Sequence, residues 1–149
     1  MIEFVEYSRE FLEKSWEWLN DKEIKDITMT PDFTKEQQEK FFNSLPGRTD
    51  YLIKGILYDS VPVGACGMKN ITEKDAEVWT YLGEKEFWGK GIGKEITKFL
   101  IQWAKDKGLE SIYWKTYEWN ERAKSLYIKS GCTIEKVENG IVLARFMLS

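Results

Sequence analysis

Phe87-Trp88-Gly89-Lys90-Gly91-Ile92-Gly93-Lys94 is the stretch whose reading decides the fold. Three glycines fall within five residues, directly ahead of Ile92, Ile96, Phe99, Leu100 and Trp103, which recur at helical spacing. The segment therefore reads as a strand end, a glycine loop and a helix N-terminus. Glycines let consecutive backbone N–H groups point into one concavity, and the helix start adds unpaired donors and the positive end of its dipole. Lys90 and Lys94 place positive charge beside it. A phosphate or pyrophosphate is the expected ligand.

Spacing narrows the kind of phosphate site. A dinucleotide fingerprint needs G-x-G-x-x-G, and Lys94 or Ile96 stands where its third glycine belongs. A P-loop needs Gly-Lys followed by Ser or Thr, and Gly93-Lys94 is followed by Glu95. What remains is a short x-x-G-x-G loop opening a long helix.

Working outward, the chain reads as alternating elements. Ile2 to Glu6 alternates apolar and acidic, as a half-buried strand does. Ser8 caps a helix to Asn20 with Phe11, Leu12, Trp16 and Leu19 on one face. Asp21 to Asp32 has no clear period and reads as a loop placed to close over a substrate. Thr34 with Gln37 is a capping box for a helix ended by Pro46-Gly47. Three antiparallel strands follow, Tyr51–Tyr58, Val61–Met68 and Ala76–Leu82. The glycine-loop helix stops at Gly108, and Ser111–Tyr117 is a strand parallel to the one before the loop, as a βαβ crossover requires. Asn120 caps a short helix with Ala123, Leu126 and Tyr127 on one face, ending at Gly131. Thr133–Val137 and Ile141–Leu148 close the chain as a hairpin over Asn139-Gly140. The class is α+β, in one domain over residues 1–149.

Composition excludes several functions. The chain has 149 residues, a net charge of −3 and no histidine. Ser-His-Asp and Cys-His chemistry and His-containing metal sites are therefore absent, and no metal is expected. No overall basic field points to nucleic acid, and no apolar span or basic leader points to a membrane. A cytoplasmic location is expected by default. Cys66 and Cys132 read as reduced core thiols. A homodimer is compatible with the sequence, which carries no direct mark of oligomeric state.

The glycine loop resembles the acetyl-CoA pyrophosphate loop of the GNAT superfamily of N-acyltransferases. One departure is Trp88, where the family often has Arg or Gln. Asn120-Glu121-Arg122-Ala123-Lys124-Ser125-Leu126-Tyr127-Ile128-Lys129-Ser130-Gly131-Cys132 resembles the second GNAT signature, N-x-x-A-x-x-L-Y-x-x-x-G-F, with Cys132 replacing the final aromatic. The resemblance is strong from about Leu57 onward and generic over the first 50 residues, which in this family shape the acceptor pocket. It implies a mixed, mostly antiparallel sheet whose central parallel pair is splayed to admit acetyl-CoA.

The resemblance also implies roles. Backbone groups of Tyr81, Leu82 and Gly83 would meet the pantetheine arm, and the amides of Trp88, Gly89, Lys90, Gly91, Ile92 and Gly93, with Lys94 and Asn120, would complete the cofactor site. Tyr127 matches the general acid. Glu77 lies fourteen residues before Gly91 (91 − 77), where several protein-modifying relatives carry a catalytic Glu. Alternation puts it on one strand face with Trp79 and Tyr81, and a carboxylate between aromatics suits a base acting directly or through water. Glu118 is its rival, and many relatives use water alone. The seven tryptophans and seven tyrosines include Trp79, Tyr81, Trp114, Tyr117 and Trp119 on the strands flanking the expected cleft. Such walls suit a sugar ring, a nucleobase or an aliphatic amine. The expected reaction is acetyl transfer to a small-molecule amine such as an amino sugar. The alternatives are a protein N-terminal or lysine acetyltransferase, and a CoA-binding regulatory module without turnover.

Overall fold

The central strands over 61–69 and 75–82 are buried along most of their length, which requires apolar cover on both faces of the sheet, and the chain supplies helices for each. The computed structural model describes residues 1–148. Its strands are β1 (Ile2–Glu6), β2 (Leu52–Tyr58), β3 (Val61–Lys69), β4 (Asp75–Leu82), β5 (Ser111–Tyr117), β6 (Thr133–Glu138) and β7 (Ile141–Met147). They form one seven-stranded sheet in the order β1-β2-β3-β4-β5-β7-β6. The pair β4–β5 is parallel and every other pair is antiparallel.

The helices are α1 (Arg9–Asn20), α2 (Lys22–Ile27), α3 (Lys35–Ser44), α4 (Ile92–Asp106) and α5 (Glu121–Lys129). Helix α4 buries Ile92, Ile96, Leu100 and Ala104 against Ala76, Val78, Ile112 and Trp114 on one sheet face. Burying each large side chain of this kind is worth about 1.5–3 kcal/mol. On the other face α1 packs Phe11, Leu12 and Trp18 against Ala65 and Tyr81. The Asn139-Gly140 turn has positive φ at both residues, 53° and 76°, as a type I′ hairpin requires.

Three local expectations are corrected. Asp21 to Asp32 contains helix α2, whose N-cap Asp21 accepts from the amides of Glu23 and Ile24. With Ile24 its only buried residue, α2 offers no apolar period to read. In α1 the buried face runs through Phe11, Leu12, Ser15 and Trp18, so Trp16 and Leu19 lie at its margin. A buried serine sets that phase. The Ser15 hydroxyl donates to the Leu12 carbonyl at 2.7 Å and accepts from Tyr7 and Gln38. In α5 Leu126 is exposed rather than packed, because the inward pair is Ala123 and Tyr127 at i, i+4.

Candidate active site

The site begins where a strand pair stops. Strands β4 and β5 pair only from Asp75–Ser111 to Val78–Trp114, although β4 continues to Leu82 and β5 to Tyr117. Beyond Val78 the two strands diverge and leave a gap through the sheet. A cleft of about 720 Å³ occupies it. Glu77, Trp79 and Tyr81 line it from the α1–α3 face, and Trp114 and Tyr127 from the α4–α5 face. The turn after α2 adds Thr28, Met29 and Thr30 to its wall, with the two threonine hydroxyls bonded at 2.6 Å. The segment expected to close over a substrate thus borders the cleft.

Strand alternation decides which backbone groups face the gap. The Gly83 amide donates to the Val63 carbonyl at 2.7 Å, and the Tyr81 carbonyl abuts Gly64, so both residues turn their backbone toward β3. Thr80 and Leu82 therefore face the gap. This corrects the sequence reading, in which Tyr81, Leu82 and Gly83 all offered free groups. The Leu82 carbonyl already accepts from the Trp88 indole at 2.9 Å. Trp88, the departure from the family pattern, thus caps one edge of the gap.

Gly83 has a different use. A Cβ there would lie 2.1 Å from the Trp18 ring, whose indole N–H donates to Glu84 at 2.9 Å. Overpacking of this kind costs about 1–3 kcal/mol, so Gly83→Ala should lower stability by that amount in thermal unfolding. An unchanged midpoint would show that the Trp18 contact is not tight.

In the glycine loop a 3-10 turn over Lys85–Phe87 consumes the Trp88 amide, which donates to the Lys85 carbonyl at 3.0 Å. Trp88 therefore has no free amide for a phosphate. The amides of Gly89, Lys90 and Gly91 have no backbone partner among the described residues, and those of Ile92, Gly93 and Lys94 are the unpaired donors of α4. Gly89 and Gly91 hold φ of 77° and 79°, in the left-handed region. A Cβ built at Gly89, Gly91 or Gly93 meets nothing within 4 Å. The loop is thus an open cradle of donors that fits an anion, and Lys90 and Lys94 are exposed beside it, outside any ion pair of the described residues.

Tyr127 packs its ring on Trp114 at 5.7 Å between centroids. Its hydroxyl has no hydrogen-bond partner among the described residues, and burial, with Cys132 adjacent, pushes its pKa up to about 12. The Asn120 side chain accepts from the Ala123 amide at 3.1 Å, so its oxygen serves as the cap of α5. The Lys124 side chain is 22% exposed and pairs with Glu121 at 2.8 Å.

Glu77 is buried at 7% exposure. Its surroundings are cationic as well as aromatic, which sequence reasoning missed. The ammonium groups of Lys69 and Lys115 lie 3.6 and 3.8 Å from its carboxylate, and the Asn70 amide donates at 3.4 Å. Cross-strand alternation was the available signal, since Lys69 pairs with Glu77 in the sheet and Lys115 follows its other partner Tyr113 by two. Glu118 instead lines a separate groove beside α5 and β6, away from the cleft. Tyr117 and Trp119 stack on each other at 5.6 Å and do not line the cleft either.

The sequence profile of the acetyltransferase (GNAT) family matches residues 9–132. The chain belongs to that family. GNAT architecture accounts for the splayed β4–β5 pair ahead of a glycine-led helix. The chain is similar to an uncharacterized N-acetyltransferase of Bacillus subtilis, 29% identical over 75 residues, or 50% of this chain and 30% of the relative. It spans 30% of the length of the curated relatives it matches. Among solved structures it is similar to a Vibrio cholerae spermidine N-acetyltransferase in complex with CoA and spermine. That GNAT-fold match has a TM-score of 0.86 at 16% identity and covers 99% of this chain and 95% of the other. The N-acetyltransferase PseH of Campylobacter jejuni, in complex with acetyl coenzyme A, matches at 0.76 with 19% identity over 100% of both chains. No helix of the described residues is long and apolar enough to cross a membrane.

Proposed function

We propose that this GNAT domain transfers an acetyl group from acetyl-CoA to the primary amine of a small molecule, an amino sugar being the preferred class. One observation carries the reading. The gap beyond Val78 and Trp114 opens the sheet from face to face, so one cleft is lined by Glu77 from one side and Tyr127 from the other. Two substrates meeting there in line need no covalent enzyme intermediate. The solved acetyl-CoA and spermine complexes of similar fold support the pairing of acyl donor and small amine.

When bound, acetyl-CoA supplies a thioester carbonyl for the amine to attack and a thiol to leave. The amides of Gly89 to Lys94 would hold its pyrophosphate, with Lys90 and Lys94 supplying charge. The gap-facing backbone groups of Thr80 and the Leu82 amide would meet the pantetheine arm, because buried backbone groups need partners. Glu77 would take the amine proton, directly or through water. Tyr127 keeps its proton through the range in which amines titrate. A phenol held near 12 is a weaker acid than a thiol of about 8.5, so the hydroxyl acts by donating a hydrogen bond to sulfur as charge builds there.

The test is release of free thiol from acetyl-CoA with amino sugars, polyamines and peptides as acceptors. Turnover confined to peptides would replace the small-molecule reading with protein acetylation. Within the same assay, Glu77→Gln should lower kcat with little change in acetyl-CoA affinity. A wild-type kcat in that variant would assign the proton to water, since Glu118 lies outside the cleft.

A further inference from the structure

The charges lining the cleft are unbalanced in a way that selects the acceptor. Among the described lining residues the charged ones are Lys69, Lys115 and Glu77, two cations and one anion. Strand pairing places all three on one sheet face, with Glu77 between the lysines. The ammonium-to-carboxylate distances of 3.6 and 3.8 Å exceed the roughly 2.7–2.9 Å of a charge-assisted hydrogen bond. Neither lysine hydrogen-bonds Glu77 directly, and neither has another acceptor among the described residues. Their side chains are 46% and 41% exposed, so a ligand can reach them.

The cleft therefore carries two cations with spare donors, Lys69 and Lys115, beside one carboxylate. A polyamine would bring a second ammonium toward two lysines and meet like charge. An amine that also bears an anion matches the arrangement at both ends.

Resting on the acetyl-transfer reading above, we propose that Lys69 and Lys115 are specificity-determining residues that receive an anionic group of the acceptor, while Glu77 faces its amine. That anion is a carboxylate, as in an amino acid, or a phosphate ester, as in an amino-sugar phosphate. Tyr51, Trp79 and Trp114 add aromatic walls to the same cleft. A carboxylate close to the amine and a phosphate several bonds away use the same two lysines with different spacing.

The test compares matched acceptors that differ by the anion: tryptophan with tryptamine, and glucosamine 6-phosphate with glucosamine, with spermidine as the polycation. Binding to the CoA-loaded protein is followed by calorimetry and turnover by thiol release. The anionic member of at least one pair should be preferred about tenfold or more, as expected for hydrogen bonds to a charged group. The pair that shows the preference tells carboxylate from phosphate. In K69M/K115M the preference should shrink to about twofold, and added salt should weaken it in the wild type only. Should loss of both cations beside buried Glu77 prevent folding, the single variants K69Q and K115Q carry the test, each losing part of the preference. Equal or better use of neutral amines or spermidine would overturn the proposal, as would a preference that survives removal of the lysines. Binding preference without thiol release for any amine would fault acetyl transfer and keep this assignment. Thiol release without preference would do the reverse.

Discussion

Tyr127→Phe should lower kcat by about 10²–10³-fold while acetyl-CoA affinity stays within a few-fold. The substitution removes one oxygen and keeps the ring on Trp114, so packing of α5 is preserved. The lost interaction is a donor aimed where charge develops, and removing one such donor typically costs that factor. Burial holds the phenol near 12, so it stays protonated as pH rises through the ordinary range. The wild type should therefore show no alkaline fall in kcat below about pH 10 from this group. The defect should shrink with a thioester whose thiol is more acidic, because such a group departs with less help. An undiminished kcat in the Phe variant, with chemistry shown to limit the rate, would reduce Tyr127 to a packing residue and leave catalysis to proximity.

The glycine loop predicts an equally large effect on binding, and the two inner glycines should separate stability from affinity. Gly93 sits in the first turn of α4, is not at positive φ, and a Cβ there touches nothing in the protein. Gly93→Ala should therefore stabilise the helix by about 1 kcal/mol. Affinity for CoA should nevertheless fall, because the added methyl occupies the space through which backbone donors reach the phosphate. Losing two donors to a charged group, at about 1.5–3 kcal/mol each, weakens binding on the order of 10²-fold or more. Gly91→Val should lose affinity similarly and lose stability as well, since φ of 79° disfavours any Cβ by about 1–2 kcal/mol. Calorimetry and thermal unfolding on the same samples give both quantities. Unchanged CoA affinity in a folded Gly93→Val or Gly91→Val variant would remove the loop from the site.

The elements legible in the sequence were those with redundant local signals. The glycine loop, the Thr34–Gln37 capping box and the Asn139-Gly140 turn each combine a residue type with a required backbone geometry, and each stands where expected. The parallel β4–β5 pair followed from the helix between its strands. Helix α2 escaped because six residues with one buried side chain make no period. The phase of α1 shifted because its inner face includes Ser15, whose hydrogen bonds are long-range and invisible to hydropathy. The candidate site divides in the same way. Tyr127 and the loop are marked by motifs, whereas the backbone direction of Tyr81 and Gly83 depends on where the β3 register begins. The two lysines around Glu77 come from the strands on either side of it, β3 and β5, and Trp88 reaches Leu82 through its side chain. Neither fact leaves a local trace.

The central claim is that this cleft joins an acetyl group to an amine, and the fate of a labelled acetyl group tests it most directly. With acetyl-CoA carrying isotope in its acetyl carbons and an accepted amine present, label should appear in an amide on the amine nitrogen. It should do so in step with thiol release and depend on the Tyr127 hydroxyl. Label recovered only as free acetate, or retained on CoA while the amine stays unmodified, would contradict the account.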